Sequence, residues 1–197
     1  MKICALLAAS VVGLAAALPA AAHDAQYRAT LTGTAEIPSN ASPATGNALI
    51  TVDFDTLMMD VQISFAGLIG TTTASHIHCC TTTPGSANVG VATTLPTFTG
   101  FPSGVTSGNY DHVFDMSLAS SYNPAFVTAQ GSVSNAFNAL VAGMETGNAY
   151  LNIHTTQFPG GEIRGLVTQV PEPETYALMA VGLGVLGLVA RRRRTAG

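Results

Sequence analysis

The segment AYLNIHTTQFPGGEIRGLV, residues 149–167, constrains the fold most, because its pattern is that of a β-hairpin. Residues 150–155 carry the β-branched and aromatic side chains that are typical of a strand, and alternation resumes over residues 162–167. Between them, Pro159-Gly160-Gly161 sets or frees the backbone φ angles that a turn requires. The segment therefore predicts two antiparallel strands joined by a short loop.

Alternating apolar and polar residues predict further strands before this hairpin. The clearest is LMMDVQISF, residues 57–65, in which Met59, Val61, Ile63 and Phe65 share one face opposite polar side chains. The same type of pattern places strands at residues 27–34, 48–55, 71–80 and 111–118. From residue 81 to about residue 110 the chain is rich in Thr, Pro, Gly and Ser, which indicates a long loop.

Two short helices are predicted between the last of these strands and the hairpin. Pro124 stands at a first-turn position for a helix that ends at Gln130. Over residues 134–144 the apolar side chains recur three or four apart, and Gly147 is a plausible stop. Short strands separated by turn-rich segments predict a mainly β fold, an antiparallel immunoglobulin-like β-sandwich in which the helices are insertions.

The body of the chain is acidic. Residues 23–170 contain nine Asp or Glu residues against two Arg residues and no Lys, which gives a net charge of −7. Such a charge repels phosphate groups and argues against nucleic acid as a partner. The 47% apolar content of the 197-residue chain is inflated by its two ends, which read as targeting segments.

The first 22 residues have the layout of a secretory signal peptide. Lys2 precedes an apolar run over residues 3–18, and Ala20-Ala21-Ala22 provides the small residues of a cleavage site, which signal peptidase would use. A buried N-terminal helix is the alternative, but polar residues follow the run directly. Cys4 would leave with the signal, so that the mature chain, residues 23 onward, keeps only Cys79 and Cys80.

The last 27 residues, 171–197, combine three features in order. They are a triplet made of Pro171, Glu172 and Pro173, an apolar run over residues 176–190, and a basic cluster made of Arg191, Arg192, Arg193 and Arg194. As a helix the run would be about 22 Å long, shorter than the roughly 20 residues of a standard span. The arginines would hold its end on the cytoplasmic side.

This three-part order is similar to the PEP-CTERM sorting signal. The resemblance implies that an exosortase, a membrane cysteine transpeptidase, recognises the tail and cuts it near the triplet. It further implies a Gram-negative bacterium, often one that makes exopolysaccharide, and a protein that is anchored transiently in the inner membrane before it reaches the cell surface, the outer envelope or the extracellular matrix. A permanent C-terminal anchor helix is the alternative.

Three histidines form the candidate metal site. His76 and His78 project from the same side of a predicted strand, and His154 of the hairpin is a third possible ligand. Neutral imidazoles suit copper, zinc or nickel, and Cys79 or Cys80 could add a thiolate if reduced. The competing interpretation is that the histidines hydrogen-bond to the backbone of the long loop and order it.

Cys79 and Cys80 are neighbours in a compartment that is predicted to be oxidising. A vicinal disulfide, a bond between chains and two free thiols are all open. A vicinal bridge closes almost no loop of chain, so it would act on the local turn rather than on global stability.

Four segments together resemble the CHRD domain, a module first described in chordin and also found in bacterial surface proteins. They are Thr34-Ala35-Glu36-Ile37-Pro38, Ser75-His76-Ile77-His78, Asn152-Ile153-His154-Thr155 and Pro159-Gly160-Gly161-Glu162-Ile163-Arg164-Gly165, in the order of the family pattern. The resemblance spans about residues 27–167. It implies no catalytic or cofactor-binding residues, because none are established for the family.

Two functions follow as hypotheses. The first is a non-enzymatic exported module that binds proteins or polysaccharide at the cell surface or in the extracellular matrix. The second is a copper or zinc protein, either a carrier or an extracellular enzyme, centred on His76, His78 and His154. The order of His-x-His, a later His and then Arg164 also resembles that of Cu/Zn superoxide dismutase, another β-sandwich, although fold and spacing alone do not establish an activity.

Overall fold

The computed structural model describes residues 24–171 and, beyond them, residues 179, 181–184, 186 and 191. Seven strands lie in the continuous part: β1 (Asp24–Thr32), β2 (Thr45–Asp53), β3 (Met58–Ala66), β4 (Thr72–His78), β5 (Gly108–Asp115), β6 (Ala149–Thr155) and β7 (Ile163–Gln169). Two α-helices, α1 (Pro124–Gln130) and α2 (Val133–Glu145), separate β5 from β6. Within residues 24–171, each predicted strand and helix is present, with ends that move by up to three residues.

The strands form one antiparallel sheet in the order β4-β6-β7-β1-β2-β3-β5. This confirms the predicted mainly β, antiparallel class. The sequence predicted an immunoglobulin-like pair of separate sheets. The structure instead has a single sheet that curls as a half-barrel, which gives a sandwich-like cross-section. The physical reason is the position of β1, which pairs with β2 on one side and with the last strand, β7, on the other. That pairing joins the two halves into one hydrogen-bonded surface.

The apolar core lies on the concave side of this sheet. Burial alternates along β1, β2 and β3, as expected for strands with one wet face. On β3 the buried side chains are Met59, Val61, Ile63 and Phe65, the face that the alternation predicts. β6 differs, because nearly every residue from Ala149 to Thr155 is buried on either face. A second layer of chain must therefore cover its convex side.

The long loop between β4 and β5 provides part of that cover and also closes the open side of the curl. Its backbone runs back along the edge strand β4, and the N–H of Phe98 donates to the carbonyl oxygen of Ser75 (3.0 Å). The Phe98 ring then packs against Phe114 of the opposite edge strand, with ring centroids 5.4 Å apart. Phe101 stacks on Phe65 in the same region. The loop thus pairs with the outer edge of β4, which removes a site for strand-to-strand aggregation.

The second helix, α2, packs on β6 and β7, and α1 packs against α2. The side chain of Asn123 caps α1 by accepting from the Ala125 N–H, and Ser132 caps α2 in the same way. Phe137 of α2 contacts Phe54 edge-to-face, with centroids 6.1 Å apart. These caps explain why two helices as short as these begin where they do.

At the other end of the sheet, the buried carboxylate of Glu162 ties three loops together. It accepts hydrogen bonds from the Ser42 hydroxyl (2.7 Å), the Thr155 hydroxyl (2.7 Å), the Ile69 N–H (2.6 Å) and the Gly70 N–H (3.1 Å). Burial alone would raise the pKa of Glu162, but these four donors outweigh it and hold the pKa below the ordinary value of 4.5. The ionised form is therefore part of the fold.

Parts of the predicted targeting segments lie outside the described residues. The signal peptide, residues 1–22, is one of them, and of the predicted C-terminal helix at residues 176–190 only six residues are described. Within the described part of the chain, no helix is both long and apolar enough to cross a membrane.

Replacing Glu162 by Gln is expected to lower the free energy of unfolding by about 3 kcal/mol. The amide NH2 group of Gln is a donor, so it would face N–H and O–H donors that in the parent protein bond to a carboxylate oxygen. Since the folded-state pKa is depressed, the stabilisation by Glu162 is complete above pH 4.5 and is lost as the pH falls below that value. Urea unfolding from pH 7 to pH 3 measures both effects. The exposed Glu145→Gln is the matched control, and a Glu162→Gln chain as stable as that control would contradict the assignment.

Candidate metal centre

Three histidines converge on the convex side of β4 and β6. His76 and His78 project from β4, and His154 projects from β6 opposite Ala74, one diagonal step from His76. The ring centroids lie 5.2 Å apart for His76 and His154, 5.8 Å for His76 and His78, and 6.1 Å for His78 and His154. One potential ligand atom from each residue lies within 4.8 Å of the other two. The three predicted site residues are thus brought together.

Each imidazole is oriented by a backbone carbonyl. His76 Nε2 donates to Pro96 (2.5 Å), His78 Nδ1 donates to Val89 (2.7 Å), and His154 Nδ1 donates to Pro159 (2.8 Å). Because a carbonyl oxygen can only accept, each of these ring nitrogens carries the proton. The second nitrogen of each neutral ring therefore holds a free lone pair. The structure shows the predicted bonds from the histidines to loop backbone, and these bonds leave one nitrogen on each ring open to a ligand.

The three lone-pair nitrogens are Nδ1 of His76, Nε2 of His78 and Nε2 of His154. All three are buried and have no hydrogen-bond partner among the described residues. Buried polar atoms in native proteins are nearly always hydrogen-bonded, so three orphaned acceptors in one cluster need an explanation. A metal ion would satisfy them together. The carbonyl contacts on the opposite ring nitrogens are the outer shell that metal-bound histidines normally have.

The histidines are electrically neutral at physiological pH. Burial lowers the pKa of all three, and the His78 pKa falls to about 4. Burial is the largest cause for His78, and the carbonyl of Val89 opposes it. Neutral imidazole is the form that binds transition metals, so the site does not need to lose protons before a metal enters.

Tyr150 and Arg164 extend the cluster on the hairpin. The Tyr150 ring stacks on the His78 ring with centroids 4.7 Å apart and planes 6° from parallel. The Arg164 guanidinium lies 3.4 Å from the centroid of the Tyr150 ring. Arg164 donates to Asn88 Oδ1 (2.7 Å) and to the carbonyl oxygen of Ala87 (3.0 Å). These two residues directly precede Val89, whose carbonyl oxygen orients His78.

Glu36 is a buried acidic group that interacts with the charge of Arg164. It is only 6% exposed, and burial raises its pKa to about 7, opposed by the Arg164 charge and by hydrogen bonds from the Ile37 backbone and the Asn152 amide. Gly161 lies so close that a side chain there would collide with Glu36 and Asn152. The motif segments around residues 36, 152 and 161 therefore meet beside the histidines.

The cysteines take no part in the histidine cluster. Cys79 and Cys80 form a vicinal disulfide with each other. Their sulfur atoms pack against α2, where a Cβ on Gly143 would overlap them. Strand alternation explains the separation, because Cys79 follows the inward side chain of Ile77 while His78 points outward. The sulfurs are thus on the core side, away from the free nitrogens, and the thiolate ligand considered from the sequence is not supplied by this geometry.

The sequence missed Tyr150 as a member of the site, although its place in the alternation with Asn152 and His154 was the available signal. Arg164 entered the sequence analysis only through the two family resemblances, without a contact to any histidine. Bonds from the histidines to the backbone of the long loop were one of the predictions, but Pro96, Val89 and Pro159 could not be singled out, because a backbone carbonyl leaves no trace in residue identity.

Two family models match this chain. The CHRD domain matches residues 27–167, and the PEP-CTERM protein-sorting motif matches residues 169–194. Neither the curated proteins nor the solved structures contain a significant match. Because the CHRD match covers most of the chain and all three histidines, this chain belongs to the CHRD domain family, and its C-terminal motif implies export with sorting to the cell surface or beyond.

The metal-free protein is expected to lose stability as the pH falls below 6.5, because the folded-state pKa of His78 lies near 4 and the unfolded chain takes up the proton first. Between pH 7.5 and pH 5 the contribution of His78 amounts to about 2 kcal/mol. Urea unfolding at the two pH values tests this, with His78→Gln expected to remove that part of the difference. His112→Gln, on β5, is the control, and an unchanged pH dependence in His78→Gln would refute the prediction.

Proposed function

We propose that this protein is an exported metal-binding module that holds one copper or zinc ion on His76, His78 and His154. Two observations carry the proposal: each histidine has one buried, unpartnered ring nitrogen, and one potential ligand atom from each of the three residues lies within 4.8 Å of the others. Zn–N and Cu–N bonds are about 2 Å long, so atoms at that separation can reach a common ion with small side-chain adjustments. Three neutral nitrogen ligands suit these two metals better than they suit calcium or magnesium.

The arrangement favours binding over catalysis. The three free nitrogens are each almost inaccessible to solvent, and the loop that supplies two of the carbonyl acceptors lies over the histidines. An ion held there is shielded from large substrates. We therefore propose a non-enzymatic role in which the bound metal stabilises or serves a surface or matrix protein that exosortase has sorted.

The purified full-length chain is expected to bind close to one equivalent of copper or zinc, and the triple variant His76→Ala/His78→Ala/His154→Ala is expected to bind none at that site. Elemental analysis after dialysis against each metal gives the stoichiometry. A metal that binds only the folded protein also raises its stability, by about 2.7 kcal/mol at a metal concentration of 100 times Kd.

His112→Ala is the matched control for this experiment, because it removes an imidazole from β5 and leaves the cluster intact. It should bind as much metal as the parent. If the parent and the triple variant take up equal amounts, the cluster is not the binding site; if neither takes up any, the proposal is wrong.

The route to the surface is tested separately. Deleting Arg191, Arg192, Arg193 and Arg194 is expected to leave an unprocessed precursor in the membrane fraction of the native host, because the sorting motif reaches residue 194. Immunoblots of membrane and culture fractions show the result. Deleting Thr195, Ala196 and Gly197 instead is the control. Normal release of the chain without the arginines would contradict exosortase processing.

A further inference from the structure

The aromatic ring of Tyr150 separates a metal ligand from a buried cation. His78 lies parallel to this ring at 4.7 Å, and the Arg164 guanidinium lies over it at 3.4 Å. The imidazole of His78 and the guanidinium of Arg164 would collide if both lay this close to the centre of the Tyr150 ring on the same face, so they occupy opposite faces of the ring. The result is a stack in the order His78, Tyr150, Arg164, which begins at the proposed metal.

The charge on Arg164 is shielded little by solvent. The residue is 1% exposed, and its hydrogen bonds to Asn88 and Ala87 end on neutral oxygen atoms. The carboxyl group of Glu36 is close enough to interact, but its burial resists ionisation up to about pH 7. At neutral pH the positive charge of Arg164 beside the three neutral imidazoles is therefore only partly offset.

A fixed positive charge penalises each positive charge that is added nearby. The three histidine ligands bring no negative charge to offset a bound ion, unlike carboxylates or thiolates. The penalty for a divalent ion is therefore about twice that for a monovalent ion at the same position. At a separation of roughly 9 Å and an effective dielectric constant of about 20, one extra unit charge changes the affinity on the order of tenfold or more.

We infer that Arg164 shifts the selectivity of the three-histidine centre toward monovalent copper and away from divalent zinc. The inference rests on the proposed metal site and adds its selectivity. Tyr150 keeps the cation at a set distance, because it contacts both neighbours in the stack. Cation–π contact with the Tyr150 ring stabilises the guanidinium in this buried place.

The test measures two dissociation constants for each full-length variant. The Kd for Cu(I) is obtained anaerobically with ascorbate and a competing Cu(I) chelator, and the Kd for Zn(II) with a competing zinc dye. Arg164→Gln is expected to shift the ratio of the two constants on the order of tenfold toward zinc. Arg164→Lys retains the charge, so it should retain the ratio even if both affinities fall together.

A merely structural role for Arg164 would weaken both metals equally and leave the ratio unchanged in Arg164→Gln. That outcome overturns the inference but not the metal site. If neither ion binds the parent chain, the proposed function itself fails. Every variant also carries Cys4→Ser, and titration of free thiols then verifies that Cys79 and Cys80 remain bonded, since thiolates would bind Cu(I) themselves.

Glu36→Gln provides a second measurement if Arg164→Gln does not fold. At pH 8 the carboxyl group of Glu36 is largely ionised and partly offsets Arg164, because its pKa is about 7. Its removal should shift the ratio toward Cu(I), opposite to the effect of Arg164→Gln. Glu145→Gln, an exposed substitution on α2, should leave the ratio unchanged. An unaltered ratio in Glu36→Gln contradicts charge-based selectivity.

Discussion

The pairing of β6 with β4 on one side and with β7 on the other is the interaction on which the rest of the structure depends. The inward side chains of β6, such as Leu151 and Ile153, are part of the apolar core, and its outward side chains include Tyr150 and His154. A slip of one residue would exchange the two sets, so burial of the inward face fixes the register. Hydrophobic packing on one side of the strand thereby sets the distances between polar groups on the other side.

Much of the fold could be predicted from periodicity, but the site could be predicted only in part. Alternation identifies β3 and places His76 and His78 on one side, because both conclusions need only local geometry. The approach of His154 to the other two histidines depends on which strands pair. β4 and β6 are neighbours in the sheet, but β5 and both helices lie between them in the sequence. Local patterns could not predict that the strands form one continuous sheet for the same reason, since this follows from the pairing of β1 with β7.

The long loop shows why composition alone was insufficient. Its Thr, Pro, Gly and Ser content predicts irregular chain, and irregular chain is what residues 79–107 contain apart from isolated bridges. Its contribution comes from Phe98 in the core and from backbone groups that meet β4. The same segment therefore closes the sheet and encloses the histidines, which couples the order of the site to the integrity of the core.

The acceptors that orient the three imidazoles belong to the peptide backbone, and this has an evolutionary consequence. A substitution at Val89 changes a side chain but leaves its carbonyl oxygen in place, and the same holds at Pro96 and Pro159 wherever the loop keeps its path. The surrounding loops can accumulate mutations while the imidazoles stay aligned. Selection on the centre then falls on the path of the chain rather than on residue identity, so relatives with dissimilar loops can retain it.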